Sequence, residues 1–302
     1  QQIQADLKGA DYNDTLLWKT NEGVTVKPFY HNDTDHNTAN IPTNNWKIAQ
    51  QIDAFITSEA NKKALEAIER GVESIIFVIK SEINITELLA NIDVSTIELQ
   101  FKFKLLNEKM AEEIIQLDLP HYYLNIDIVG HLAQTGNWYT SLKGDFSFIK
   151  TLVKKYPTQN ILSVDTSVYQ NAGATITQQL AYAIAHANEY FNNFKDDTLP
   201  QLQFITSTSG NYFFEVAKIR ALKLLFKTLT EDYQSLNNEC AILSYPSNRN
   251  KTIYDYNVNL LRTTTECMSA ILGGATTVCN LPYDHIYHNS NDFGDRIARN
   301  QL

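Results

Sequence analysis

DTSVYQNAGATITQQLAYAIAHANEYF, running from Asp165 to Phe191, is the stretch on which the reading of this chain turns. It has the form of a strand end, a short turn and a long helix. Asn171, Ala172, Gly173, Ala174 and Thr175 supply the small residues a tight turn needs. Thr175 and Gln178 then form a capping box, each side chain reaching a backbone N–H that the helix start leaves unpaired. Ile176, Leu180, Ile184 and Phe191 recur at helical spacing and predict one buried face. A strand that ends in a tight turn and a helix is the unit on which barrel enzymes mount their chemistry.

The same rhythm extends outward in both directions. Short β-branched runs fall at 74–80, 96–101, 122–127, 160–165, 202–206, 240–245 and 277–280. Helical patterns follow most of them, at 85–90, 108–117, 146–155, 175–191, 212–229, 258–272 and 292–300. Alternating β and α segments imply a mostly parallel sheet covered by helices. Seven such strands approach the eight of a (β/α)8 TIM-like barrel, the fold expected over 46–302. The missing strand is expected in the polar stretch 130–144, GHLAQTGNWYTSLKG. An open doubly wound sheet is the alternative, but no G-x-G-x-x-G or G-x-x-x-x-G-K-[ST] loop occurs. Residues 1–45 read as an extended N-terminal arm, with Trp18, Val24, Val26, Phe29 and Tyr30 before a polar loop. Such an arm lies either on its own domain or on a partner.

Composition narrows the class. Of the 302 residues, 43% are hydrophobic and 20% charged, as in an ordinary globular protein. No apolar run approaches the roughly 18 residues a membrane span needs, and no signal-peptide pattern opens the chain. The start at Gln1 and the end at Leu302 raise the expectation of a piece of a longer protein, with the barrel cut short at its C-terminal end. A net charge of −9 argues against nucleic acid or an anionic membrane as main partner. Cys240, Cys267 and Cys279 are odd in number and lack metal-type spacing, which fits reduced thiols in the cytoplasm. The Asn-x-Thr triplets at Asn13, Asn32, Asn84 and Asn250 are expected by chance in a chain so rich in Asn.

Several long segments resemble the methylmalonyl-CoA mutases. NYFFEVAKIRALKLLF (211–226), NVNLLRTTTECMSAILGGATTV (257–278) and DFGDRIARNQ (292–301) are similar to runs of that family, in the same order. ADLKGADYNDTLLWKTNEGVTVKPFY (5–30) resembles its opening segment. In catalytic members the substrate threads the barrel axis and adenosylcobalamin sits against the C-terminal ends of the strands. The resemblance therefore implies small, polar side chains facing inward.

This chain departs from that pattern. Where the family reads Gly-Tyr-His before Met-Gln-Glu-Ala-Gly-Ala-Thr, it carries Thr166, Ser167 and Val168. Two of three serines in the fifth strand are Ile161 and Asp165. In the seventh strand Arg, His and Gln give way to Ala241, Leu243 and Tyr245. The eighth has Val278 and Cys279 before Asn280. The Arg-bearing loop and the cobalamin-binding D-x-H-x-x-G have no match. The expectation is a barrel plugged by bulky side chains, with no catalytic, cofactor-binding or metal-binding residues of its own. It resembles the small chain of a heterodimer, paired with a catalytic large subunit that holds the adenosylcobalamin.

Individual residues carry alternatives. Asp127 and Asp165 end two strands and could form a carboxylate pair for acid–base work in an independent barrel enzyme, with Ser207 nearby. Either could equally accept hydrogen bonds from a loop. Asp284, His285 and His288 have partial metal-ligand spacing but sit in a loop. His186 reads as a helix-surface residue. Thr206–Gly210 precedes a helix start and could hold an anion or serve as a plain cap. Arg262 and Arg296 read as structural contacts within their helices.

Overall fold

The computed structural model describes residues 2–31, 45–194, 199–235, 238–288 and 291–302. Most of the polar loop of the arm, with Asn32, lies outside these residues, as does the Asn289-Ser290 pair. Eight parallel strands form one sheet: Lys47–Asp53, Ser74–Ile79, Glu98–Phe103, Tyr122–Tyr123, Leu162–Asp165, Leu202–Thr208, Ala241–Pro246 and Thr277–Cys279. They are called here the first to eighth strands. Sequence neighbours pair with each other, all but the fourth and fifth, and the first pairs with the eighth through Thr277↔Lys47, Val278↔Ile48 and Cys279↔Ala49. Between the fourth and fifth the ring is joined by a single parallel bridge, Ile126↔Leu162. This is the α/β barrel expected.

Alternation along the strands sorts the core into two shells. Ile75, Phe77 and Ile79 join the large cluster between strands and helices, whereas Ile76 joins a small inner one. Leu99, Phe101 and Phe103 face the helices, so Glu98, Gln100 and Lys102 face the axis. The second strand, SIIFVI, is buried along its whole length because both faces are covered. Helices follow the strands, the longest being Ile176–Phe194, Tyr212–Asp232 and Val258–Gly273. The expected turn before Ile176 is present. Gly173 sits at φ 104°, a left-handed conformation that suits glycine. Thr175 and Gln178 exchange the two capping bonds, at 2.9 and 3.3 Å.

The missing strand is not in 130–144. That stretch holds the end of helix Ile128–Thr135, a left-handed turn at Gly136 and the start of helix Leu142–Lys155. The strand overlooked is the first, Lys47–Asp53. Its sequence, KIAQQID, is poor in bulky aliphatics because outward Gln50 bonds Arg299 and inward Lys47 bonds Glu98. Polar residues satisfied inside the fold hide a strand from hydropathy. Among the described residues no helix is long and apolar enough to cross a membrane.

The described part of the arm turns back on its own barrel. A short hairpin pairs Trp18–Lys19 with Thr25–Val26. The Trp18 ring meets Phe214 edge-on at 5.8 Å. Thr177 donates its N–H to the Glu22 carboxylate (3.1 Å) and its hydroxyl to the Glu22 carbonyl (2.8 Å). Trp18 nevertheless stays 54% exposed, and Val24, Phe29 and Tyr30 are exposed as well.

Candidate functional site

The place to look for chemistry is the barrel axis and its C-terminal mouth. Three levels of side chains fill it. At the N-terminal end the Glu98 carboxylate accepts from Ser74, Gln100 and Thr277 on one oxygen, at 2.8–3.0 Å, and from Lys47 on the other, at 2.9 Å. Above it Ala49, Ile76, Ile205, Leu243, Tyr245 and Cys279 form the closed inner cluster. Gln100, Asn125, Ser163 and Gln203 accompany them as buried polar groups. At the mouth Lys102 pairs with Asp165 at 2.9 Å and lies 5.6 Å from the centre of the Tyr245 ring.

Leu243 and Tyr245 thus stand where the sequence placed them. Ile161 does not. It packs in the outer cluster beneath the helices, so it contributes nothing to the plug. Burial pushes the Cys279 thiol up to about 12, and Cys240 likewise, so neither offers a thiolate. All three cysteines are free and buried.

A cavity of about 40 Å³ remains at the mouth, lined by Lys102, Asp165, His131, Tyr139 and Val168 among others. That is room for about one water molecule. Val168 borders it, in the position where the resemblance would place a histidine.

Asp127 and Asp165 are brought together, but not as an acid–base pair. Asp127 Oδ2 accepts the main-chain N–H of Asp165 at 2.8 Å. Its Oδ1 accepts from Gly130 N–H (2.7 Å), the Tyr190 hydroxyl (2.7 Å) and His186 Nε2 (2.9 Å). Asp165 is held by Lys102 and by the hydroxyl and N–H of Ser167. Each carboxylate is committed to structural donors, so the acid–base reading fails on geometry.

His186 is the clearest departure from expectation. It is buried, not on the surface, and joins the Tyr169 hydroxyl (Nδ1, 3.0 Å) to Asp127. The helix turns Gln179, Ala183, His186, Ala187 and Tyr190 inward. Of the expected face Ile176 and Phe191 are buried, while Leu180 and Ile184 only flank the core. The true face is rotated because its polar members have buried partners.

The 206–210 loop is filled from within. Ser209 donates to Glu215 (2.6 Å), while Lys218 bridges Glu215 and the Ser207 carbonyl, each at 2.5 Å. Its helix start therefore faces its own carboxylate. Asp284 accepts from His288 Nδ1 (3.1 Å) and Asn291. Among the described residues no group of three or more His, Cys, Asp or Glu could hold a metal ion. Arg262 bonds the Asn250 carbonyl and Arg296 stacks over Phe293, both structural contacts as expected. Sequence reading missed Glu98, Lys102, Tyr190, Glu215 and Lys218. The signal for Lys102 was legible: in ELQFKF the polar residues alternate with strand-forming ones, which puts them on the inner face.

The described residues do not fit adenosylcobalamin or a threaded acyl-thioester. Leu243 and Tyr245 occupy the axis and the Lys102–Asp165 pair spans the mouth.

Comparison with known proteins gives a consistent picture. The family model described as methylmalonyl-CoA mutase matches residues 112–302. The methylmalonyl-CoA mutase small subunit of Porphyromonas gingivalis is 32% identical, over 99% of this chain and 54% of its own length. The small subunit of Streptomyces virginiae is 26% identical, over 98% of this chain and 53% of its own. The large subunit of Streptomyces virginiae is 33% identical, but over 49% of this chain and 21% of its own. The chain spans about half the length of the small subunits it matches.

Proposed function

This chain belongs to the methylmalonyl-CoA mutase family, and from that premise we propose that it serves as the barrel of a non-catalytic small subunit. Its role is to pair with and stabilise a catalytic large subunit. That partner isomerises (R)-methylmalonyl-CoA and succinyl-CoA in the cytoplasm and binds the adenosylcobalamin. One observation carries the reading: Ile76, Ile205, Leu243, Tyr245 and Cys279 close the axis a substrate arm would occupy. Relatives named as small subunits match almost the whole chain, which supports the same assignment.

An obligate pair usually buries well over about 2,000 Å² in a surface richer in apolar groups than a transient contact. Trp18, Val24, Phe29 and Tyr30 on the arm, and Phe213, the sequence neighbour of Trp18's partner Phe214, offer exposed apolar area of that kind. Their exposure favours a second role for the arm, beyond its tether to Thr177.

The test uses the full-length protein co-expressed with the catalytic chain. Co-purification in equal amounts is expected, and withdrawing this chain should lower both the melting temperature and the activity of its partner. A catalytic chain that stayed folded and fully active alone would refute the role.

A further inference from the structure

A cavity of about 370 Å³, reaching Ala49 of the inner cluster, lies between the first strand, helix Thr57–Glu69, the loop after the eighth strand and helix Asp292–Asn300. That volume falls within the range of small-molecule sites. Its wall holds a buried cation, the Arg299 guanidinium. Arg299 is only 8% exposed, and among the described residues its guanidinium makes one hydrogen bond, from Nη1 to Gln50 Oε1 at 2.6 Å. Among the described residues no carboxylate forms an ion pair with it. Burial and the nearby Arg70 charge pull its pKa down, while Asp295 and Asp292 oppose them from beyond ion-pair distance.

Lys63 faces the same cavity and forms no ion pair among the described residues. Asp53, also on the wall, is already met by Lys80 at 3.1 Å. Asp295 lies on the same wall, and among the described residues it forms no ion pair with Arg299 or Lys63. A smaller hollow beside the cavity is lined by Arg70 and also by Glu66, Asp292 and Asp295.

A guanidinium taken out of water without a counter-ion is costly. Its planar fork matches a carboxylate or phosphate, which would satisfy the N–H groups left over. We propose that this cavity binds a small organic oxyanion, a carboxylate or phosphate on a molecule of metabolite size, clamped between Arg299 and Lys63. The site is independent of the pairing role, and neither stands or falls with the other.

The test titrates the full-length protein with inorganic phosphate and, separately, with L-malate at low ionic strength, by calorimetry and thermal shift. Saturable one-site binding of at least one probe is expected, with a raised melting temperature. Preference for phosphate assigns the phosphate source and preference for malate the carboxylate. Lys63→Ala, at an exposed position, should weaken binding about tenfold. Gln50→Glu gives Arg299 a carboxylate from within the chain and should abolish binding while leaving the unliganded protein at least as stable. If Gln50→Glu fails to fold, Lys63→Ala alone decides. Absence of saturable binding of both probes, or binding indifferent to the substitutions, overturns the proposal.

Discussion

Replacing Asp127 by alanine should destabilise the fold by about 3–5 kcal/mol, the cost of breaking a buried charged network by removing one partner. Four donors converge on this carboxylate: Gly130 N–H, the Tyr190 hydroxyl, His186 Nε2 and the Asp165 N–H. On its other side the His186 ring meets the Tyr169 hydroxyl through Nδ1, at 3.0 Å. Alanine orphans all of them together. Burial alone would raise the pKa of Asp127, but the His186 charge and hydrogen bonds from His186, Asp165 and Gly130 outweigh it and hold the value down. A depressed carboxylate contributes stability above its unfolded value and loses it as pH falls through the folded one. The gap between wild type and variant should therefore be full at neutral pH and shrink in acid below the ordinary aspartate range. Denaturant titrations at neutral and acid pH would check this. A neutral-pH loss under about 1 kcal/mol would show that the network contributes little.

Glu98→Leu should cost a similar amount, about 3–5 kcal/mol, by a different route. One carboxylate here ties four strands together, taking Lys47 from the first, Ser74 from the second and Thr277 from the eighth, besides Gln100 on its own strand. Leucine fills the volume but leaves three enclosed donors without an acceptor, each costing about 1–3 kcal/mol before relaxation. Glu98→Gln keeps one acceptor oxygen and should lose less than half as much. The order Leu worse than Gln is the informative part, measured by thermal and urea unfolding. If Leu were tolerated as well as Gln, packing rather than donor satisfaction would govern that end of the barrel.

The outer shell of the barrel was open to sequence reading because its residues obey simple periods. Runs such as SIIFVI and ILSVD are strands buried on both sides and read as such. The inner shell was read in part. Leu243 and Tyr245 were placed through the family resemblance, and so was Ile161, which packs in the outer cluster instead. The first strand and the His186 face escaped for a shared reason: their polar side chains are buried beside partners far away in sequence. Gln50 needs Arg299, Lys47 needs Glu98, and His186 needs Asp127. Hydropathy scores a residue alone, and these residues are buried only as pairs. The Asp127–Asp165 relation was invisible likewise, since its decisive bond runs from a side chain to a main-chain N–H 38 residues on.

The single bridge between the fourth and fifth strands gives the ring a clasp. Leu124, Ile126 and Ser163 donate the main-chain bonds across it, and beyond Ser163 a carboxylate takes over where a carbonyl would ordinarily receive Asp165. Sheet opening then has a starting point, because the fourth and fifth strands are joined by one bridge where the other neighbours share a ladder. Part of the sheet's closure is thereby titratable: protonating one aspartate loosens a stave of the barrel without touching any strand-to-strand backbone bond.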